Sequence, residues 1–350
     1  MPKVLPNPYR GPGLPLSAPR PVADPAAVAG LLSHCPRHKP TRLRNVPPLA
    51  RAAGVAELWI KDESDRMGLG SFKALGAAHV IARDAAEAAG GPADAGKAKL
   101  DKTYVAASAG NHGLSVAAGA AVFGAKAVIY LSGAVPEAFA DRLRAKGAEV
   151  VRAGATYEAS MEAAAKAAEE NGWTLLSDSS WDGYLDAPIG VMEGYLQLAK
   201  EAVAQVPSTP THILLQAGVG GLAAAIAAHA RAAWGDAPQI IVVEPEAAPA
   251  LQESIRQGKL VDTEGPVSAM GRLDCKTPSL VALRGLSMDA DAFATISEAE
   301  AQAGVDLFAK LGLEVTPSGV AGLAALFAGL PGVGADARVL AILSEGPEGG

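Results

Sequence analysis

Short apolar runs alternate along most of the chain with longer alanine-rich segments. Such runs are typical of buried strands, and the segments between them have the composition of helices. One of these predicted helices is Tyr157 to Asn171, ended by Gly172 as a C-cap. The alternation predicts an α/β fold with open, twisted, mainly parallel sheets that carry helices on both faces. The predicted strands are Glu57–Lys61, Thr103–Ala107, Ala127–Leu131, Glu149–Arg152, Thr174–Leu176, Ile213–Leu215, Ile240–Val243 and Val339–Leu343.

Two stretches depart from this alternation. Residues 1 to about 50 are rich in proline and are predicted to wrap the surface as an extended arm. Asp84 to Lys102 contains Gly90, Gly91 and Pro92 among small and charged residues, which indicates a link between two subregions. Since 350 residues exceed the usual size of a single domain, we expect one large domain or two modest ones.

The composition excludes several classes of protein. Hydrophobic residues make up 49% of the chain and charged residues 19%, which is enough for a well-buried core. The net charge of -7 comes without long charged runs, so we expect no binding to nucleic acid or to an anionic membrane. The apolar stretch Ile213 to Ala233 is interrupted by Gln216, His229 and Arg231. It therefore predicts a strand entering a buried helix rather than a membrane span.

The two cysteines, Cys35 and Cys275, lack a CxxC partner, and no cluster of ligand residues indicates a metal. We therefore expect two free thiols in a reducing compartment and no metal site. The N-terminal residues are rich in proline and glycine and lack the apolar core of a secretory signal, so a cytoplasmic location is expected.

The clearest single motif is a glycine-rich turn between a predicted strand and an alanine-rich helix. Glycines let the backbone approach an anion, and the helix N-terminus offers free N–H groups and a positive dipole end. The motif predicts a phosphate site, although a tight strand-to-helix turn would also need small residues here. We call it the glycine loop; its residues are Gly218, Val219, Gly220, Gly221 and Leu222.

The glycine loop also permits a rival interpretation. Extended to Ala223 it matches the dinucleotide fingerprint GxGxxG/A, and Glu244 ends the next strand, roughly where a ribose-binding acid belongs. An NAD-dependent oxidoreductase is therefore a serious alternative on this motif alone.

Two motifs earlier in the chain argue against the NAD-dependent alternative. The run Ser71-Phe72-Lys73 follows a polar, glycine-containing loop, so that Lys73 lies at a predicted helix start behind a serine able to cap it. A lysine held as an imine loses the full amine charge and can be buried there, whereas an ordinary helix lysine would point into solvent. The second constellation, which we call the SAGNH loop, also opens a helix and suits a substrate carboxylate. Its residues are Ser108, Ala109, Gly110, Asn111 and His112.

The motifs SFKALG, SAGNHG and GVGGL, the strand end Val243-Glu244-Pro245 and the terminal run Leu340 to Ser344 resemble pyridoxal 5'-phosphate (PLP) enzymes of fold type II, the tryptophan-synthase β family. The matching order covers residues 40 to 346, nearly the whole chain. The resemblance implies two open-sheet domains with PLP in the cleft between them. The large PLP-binding domain would comprise residues 1–88 and 184–350, and residues 89–183 would form a small substrate-gating domain.

The resemblance also implies individual roles. Lys73 would be the Schiff-base lysine with Phe72 as its neighbour, Asn111 would contact the pyridine 3'-oxygen, and the glycine loop would hold the phosphate. Ser344 would meet the pyridine nitrogen, and a hydroxyl there leaves that nitrogen mostly unprotonated. The pKa of Lys73 is expected to be lowered by an apolar pocket and the cofactor.

Within this family the chain is most similar to the diaminopropionate ammonia-lyases, through GLGSFKALG and the run from Ser177 to Tyr195. That likeness implies that Asp178 is an active-site carboxylate. One departure is Ala109, which stands where those lyases carry an aspartate expected to serve as base toward the D-isomer. The SAGNH loop instead resembles threonine and serine dehydratases.

The predicted activity is β-elimination on a small 3-hydroxy or 3-amino L-amino acid, which gives a 2-oxo acid and ammonia. The catalytic residues would be Lys73 and Asp178, and the family implies a homodimer. Three alternatives stay open: a PLP β-replacement or threonine-synthase-like enzyme, the NAD-dependent oxidoreductase, and a non-catalytic PLP-binding sensor.

Overall fold

The computed structural model describes residues 1–347. The strands are β1 Lys3–Pro6, β2 Arg42–Asn45, β3 Glu57–Asp62, β4 Thr103–Ala107, β5 Lys126–Leu131, β6 Glu149–Arg152, β7 Thr174–Leu175, β8 His212–Gln216, β9 Gln239–Pro245, β10 Ala292–Ile296 and β11 Arg338–Leu343. The helices are α1 Ala26–Leu32, α2 Pro47–Ala53, α3 Gly76–Ala88, α4 Asn111–Val122, α5 Glu137–Ala145, α6 Tyr157–Asn171, α7 Asp186–Gln205, α8 Gly221–Trp234, α9 Ala250–Gln257, α10 Leu280–Asp289, α11 Glu298–Ala309 and α12 Pro317–Phe327. Short 3₁₀ helices lie at Arg66–Gly68, Phe72–Leu75 and Pro92–Lys97.

The strands form two sheets. One has seven strands in the order β1-β10-β9-β8-β11-β3-β2, and the other has four in the order β6-β5-β4-β7. The four-stranded sheet is parallel throughout, while in the larger sheet only the edge strands β1 and β2 run antiparallel to their neighbours. Leu340 of β11 lies opposite both Trp59 and Ile213, which places β11 in the centre of the sheet. The predicted α/β class is confirmed.

The predicted extended arm is only partly correct. Residues 1 to 50 include β1, α1 and β2 and the start of α2, and their strands pair along the two edges of the large sheet. The edge strands have the sequences KVLP and RLRN, with at most two adjacent apolar aliphatic residues, and their end positions are exposed. They therefore lack the continuous apolar run by which interior strands are recognised. Strand β10 was missed for a related reason, because alanines weaken its β character.

The core lies where α3, α7, α8 and α10 pack on the sheets, and much of α7 and α8 is buried. Glycines permit the closest approach. A Cβ on Gly76 would lie 2.7 Å from the Tyr195 ring, and one on Gly194 would overlap the Leu75 carbonyl oxygen. The turn that carries Lys73 therefore packs directly on α7. Within residues 1–347, no helix is both long enough and apolar enough to cross a membrane.

A buried ionic cluster fixes the arm to this core. The ammonium of Lys61 donates to Glu201 Oε2 at 2.7 Å and to the Thr41 carbonyl oxygen at 2.8 Å, while Arg66 donates to Glu63 and Glu201 at 2.7 Å each. Lys61, Glu63 and Arg66 are fully buried. Burial alone would raise the pKa of Glu201, but Arg66 and Lys61 bring that pKa down to about 2.

We expect Glu201→Gln to lower the free energy of unfolding by about 3 kcal/mol, because two buried cations lose their shared carboxylate. The effect should be present above about pH 4.3, the ordinary glutamate pKa, and should shrink as the pH falls toward 2. Glu137→Gln is the matched control, since Glu137 also pairs with two arginines but is exposed, so less than about 1 kcal/mol should be lost. Equal losses in urea titrations of the two variants would contradict a structural role for the buried cluster.

Candidate active site

Four loops that carry the predicted site residues follow parallel strands. The turn formed by Ser71, Phe72 and Lys73, which we call the SFK turn, comes after β3. The SAGNH loop comes after β4, Asp178 after β7 and the glycine loop after β8. The carboxyl ends of parallel strands lie at one edge of a sheet, and ligands bind there in open α/β folds. The topology therefore gathers these loops at the facing edges of the two sheets.

Lys73 and Asp178 form an ion pair between Nζ and Oδ2. Their side chains are 21% and 19% exposed, so both remain accessible from a cleft. The Lys73 Nζ lies 5.3 Å from the Phe72 ring centroid and 5.8 Å from that of Tyr195. The structure thus brings together the two residues predicted to be catalytic, beside two aromatic faces.

The electrostatics of this pair differ from the prediction for Lys73. Burial alone would lower the pKa of Lys73 and raise that of Asp178, but the attraction between the two charges outweighs burial. The pKa of Lys73 therefore lies above its usual range and that of Asp178 lies below it. The prediction of a lowered pKa concerned Lys73 with the cofactor bound; in the protein alone the contact with Asp178, which the sequence does not reveal, raises that pKa instead. Burial likewise raises the pKa of nearby Tyr195 to about 12.

The predicted serine cap before Lys73 is also wrong. Ser71 is extended, its hydroxyl makes no capping hydrogen bond, and Lys73 lies in a 3₁₀ turn that precedes α3. The turn is instead held by the end of β11. The Phe72 N–H donates to the carbonyl oxygen of Ser344 at 3.1 Å, and Ser71 forms a β-bridge with Glu345. Ser344, predicted to meet the cofactor ring, therefore lies next to the lysine turn.

The glycine loop connects β8 to α8, as predicted, with Gly220 in a left-handed conformation at φ 100°. A Cβ on Gly218 would lie 2.9 Å from Cys275 Sγ, and one on Gly221 would lie 3.8 Å from the Tyr195 ring and 3.9 Å from the Asp178 carbonyl oxygen. The loop therefore lies beside the Lys73–Asp178 pair, and its glycines leave the N-terminus of α8 open.

The position of Glu244 argues against the alternative of a dinucleotide-binding site. This side chain is fully buried and its two oxygens accept hydrogen bonds from the N–H groups of Leu251 and Gln252, both at 2.7 Å. Burial raises its pKa to about 8 despite these bonds. Glu244 therefore holds the first turn of α9 and does not face a ribose.

The SAGNH loop caps α4, with Gly110 as the residue before the helix. The Asn111 amide donates to Glu345 Oε2 at 2.5 Å. His112 contacts the Leu176 carbonyl oxygen at 2.8 Å through Nε2, and burial lowers its pKa. His112 is therefore a buried neutral side chain packed toward β7, while Ser108 and Ala109 are partly exposed and Gly110 is buried.

Four residues of the site were not predicted from the sequence. Tyr195 was noted only within a family motif, Cys275 was interpreted as an ordinary thiol, and neither Glu345 nor Arg272 was considered. Burial raises the pKa of Cys275 to about 12, so the thiol is neutral beside the glycine loop. Only for Glu345 did the sequence hold a signal, since it follows Ser344 at the end of a buried strand.

Together the residues fit a cofactor that joins an aldehyde to a phosphate. Lys73 offers a primary amine between aromatic rings, and the glycine loop offers an open helix N-terminus beside it. The buried hydroxyl of Tyr195 has no hydrogen-bond partner within residues 1–347, as expected of a group that faces a ligand.

Comparison with known proteins agrees with this geometry. A family model described as pyridoxal-phosphate dependent enzyme matches residues 35–345. The chain is 34% identical over 266 residues to a diaminopropionate ammonia-lyase of Salmonella typhimurium, an alignment that covers 70% of this chain and 66% of that protein. It is 30% identical over 227 residues to a mouse L-serine dehydratase/L-threonine deaminase, covering 64% of this chain and 62% of the relative.

A solved structure is also similar over nearly the whole chain. The diaminopropionate ammonia-lyase of Escherichia coli in complex with D-serine superposes with a TM-score of 0.89 at 27% identity, and covers 99% of this chain and 94% of the other. The sequence alignments span slightly less than two thirds of the curated relatives' lengths, whereas the structural superposition spans almost all of the E. coli chain.

Proposed function

The chain belongs to the family of pyridoxal-phosphate dependent enzymes, and on that premise we propose that it is an ammonia-lyase that eliminates a β-substituent from a small amino acid. The observation that carries the proposal is the Lys73–Asp178 pair beside the glycine loop. A lysine in contact with a carboxylate can accept a proton and release it again while its charge is balanced, and α-proton removal and β-group departure require such a group.

In this proposal Lys73 would hold the aldehyde carbon of the cofactor, with Phe72 beside it, and the glycine loop would hold the phosphate. Asn111 and Ser344 would hold the pyridine ring. When bound, pyridoxal phosphate supplies an electron sink conjugated to Cα, which acidifies the Cα–H bond. Ser344 contributes a neutral hydroxyl rather than a carboxylate, which favours an unprotonated ring nitrogen and therefore a moderate sink suited to elimination.

Lys73 then moves the substrate protons. Once the substrate is bound, the free amine of Lys73 would take the proton from Cα. Asp178 balances the resulting ammonium charge, as the ion pair of the two side chains indicates. Because the pair favours the protonated Lys73 amine in the protein alone, that amine would have to give up a proton to solvent before it could bond an aldehyde.

The SAGNH loop orients the substrate. We propose that its backbone at the start of α4 holds the carboxylate, so that the Cα–H bond points toward Lys73. A hydroxyl or an amine would then leave Cβ with the proton that Lys73 took from Cα, and the remaining product would react with water to give a 2-oxo acid and ammonia. Diaminopropionate and serine or threonine are the substrate classes that the names of the similar proteins suggest.

We expect the protein to release 2-oxo acid from L-isomers only. Lys73 reaches Cα from one face, and Ala109, at the position of the second base in the resembled lyases, cannot accept a proton. The test compares D- and L-serine, threonine, 3-hydroxyaspartate, phenylserine and diaminopropionate. L-Isomers should react at least roughly 100-fold faster, the lower end of what one acid-base group contributes.

Ala109→Asp should add D-activity to the L-activity, and Ala106→Ser, a buried change on the strand before the loop, is the control that should not. Equal rates with the two isomers of the unmodified protein would show that another residue supplies the second base. No 2-oxo acid from any of these substrates would contradict the lyase proposal itself.

Three further proposals concern the domains, the oligomeric state and the location of the protein. Residues 1–88 with 184–350 would form a large cofactor-binding domain, and residues 89–183 would form a small domain that gates the substrate. The strands of the four-stranded sheet all lie within the second range. We further propose a homodimer located in the cytoplasm.

A further inference from the structure

Arg272 lies against the glycine loop through its backbone. It belongs to the connection between α9 and α10. Its carbonyl oxygen is 3.1 Å from the position that a Cβ on Gly218 would take, and its N–H donates to Ser318 Oγ at 3.0 Å. Ser318 is buried in the first turn of α12. The backbone of Arg272 is therefore fixed next to the proposed phosphate site.

The guanidinium of Arg272 reaches to the SAGNH loop. Its Nη1 lies 2.7 Å and its Cζ 3.1 Å from the position of a Cβ on Gly110. The group therefore packs directly on the Gly110 backbone, and any other side chain there would displace it. The guanidinium also lies 5.8 Å from the ring centroid of Phe139 in α5. One side chain thus connects the glycine loop with the proposed carboxylate loop.

The adjoining cleft carries charges of both signs. It has a volume of about 140 Å³, and its lining includes the arginines Arg142 and Arg272, the carboxylates Asp65 and Glu345, and Asn111. The two carboxylate oxygens of Glu345 accept hydrogen bonds from Asn111 at 2.5 Å and from Thr316 at 2.6 Å. Both oxygens of Glu345 are therefore directed at polar donors of the loops, while the guanidinium of Arg272 lies beside Gly110.

We propose that Arg272 is the residue that supplies positive charge to the substrate's α-carboxylate and so selects amino acids over uncharged analogues. The inference rests on the proposed function for its substrate class. An amino acid with its nitrogen directed at Lys73 would place its carboxylate at Gly110, within reach of the guanidinium. A planar guanidinium matches a carboxylate with two parallel hydrogen bonds, which a helix N-terminus alone does not offer.

The test measures binding rather than turnover. L-Alanine and L-alaninamide have no β leaving group and differ in the carboxylate charge, and their dissociation constants with the holoenzyme follow from the change in cofactor absorbance. Arg272→Gln should raise the dissociation constant of L-alanine roughly 10- to 100-fold, the range for a charge-assisted hydrogen bond. The same substitution should raise the dissociation constant of L-alaninamide less than about threefold. Arg272→Lys, which keeps the charge, should recover part of the loss.

The control is Arg144→Gln, an exposed arginine of α5 paired with Glu137 and Asp141, which should change neither constant. Equal weakening of both ligands by Arg272→Gln, or no weakening of either, would overturn the inference. If the Gln variant fails to retain cofactor, the Lys variant decides, because an unchanged preference for L-alanine supports the charge role and a lost preference overturns it. A protein that binds L-alanine in this way but releases no 2-oxo acid from any substrate would contradict the proposed function alone.

Discussion

Lys73→Ala should abolish both the yellow colour of the purified protein and the release of 2-oxo acid. The variant removes the amine that holds the cofactor and the base that takes the Cα proton, so we expect the rate to fall by roughly 10⁴-fold or more. Folding should be little affected, because Lys73 is 21% exposed and Asp178 regains solvent when the ion pair is lost.

The control for this variant is Lys102→Ala. Lys102 is also paired with a carboxylate, that of Asp84, but it is 48% exposed and lies in the layer of the four-stranded sheet, away from the cleft. It should keep its cofactor and at least half of its activity. Wild-type activity in Lys73→Ala, or loss of activity in both variants, would contradict the role given to Lys73.

Gly220→Asp should remove the cofactor almost completely. Gly220 has φ 100°, a conformation that an aspartate rarely adopts, and its Cβ would lie 3.1 to 3.3 Å from Leu251, Ala282 and Leu286. The added carboxylate would be forced either into this apolar contact or toward the phosphate, where charge repels charge. We expect PLP affinity to fall by roughly 100-fold or more, measured by absorbance titration of the apoprotein.

The Cβ added at Gly220 faces apolar side chains of α9 and α10. Gly172→Asp is therefore the matched control. Gly172 is also left-handed, at φ 66°, but has no atom within 4 Å of the added Cβ. Gly218→Ala is a smaller change in the same loop, which adds only a methyl group close to Cys275 and the Arg272 carbonyl oxygen. Wild-type PLP affinity in both glycine-loop variants, with circular dichroism unchanged, would exclude this loop as the phosphate site.

The motifs identified from the sequence share one property, which is that their function depends on backbone shape. The glycine loop and α6 with its Gly172 C-cap were predicted because glycine at a helix end or a strand-to-helix turn has a local cause. All eight predicted strands are present in the structure because each is a continuous apolar run with a local signal. The family and the fold class are confirmed on the same basis.

The features that the sequence did not reveal depend on contacts between distant residues. The pKa of Lys73 is set by Asp178, 105 residues away along the chain, and the bridge from Arg272 to Gly110 joins segments on different sheets. Ser71 was a reasonable cap by residue type, yet pairing with the end of β11 holds it extended. No local pattern contains this information, so it had to come from the packed fold.

Borohydride reduction of the holoenzyme, followed by peptide mapping, measures most directly whether Lys73 carries the cofactor. Reduction turns a Schiff base into a stable secondary amine, so the pyridoxyl group stays on the lysine that held it. We expect the label on the peptide that contains Lys73, with loss of the internal Schiff-base absorbance. A label on any other lysine, or no label at all, would contradict the proposed function at its base.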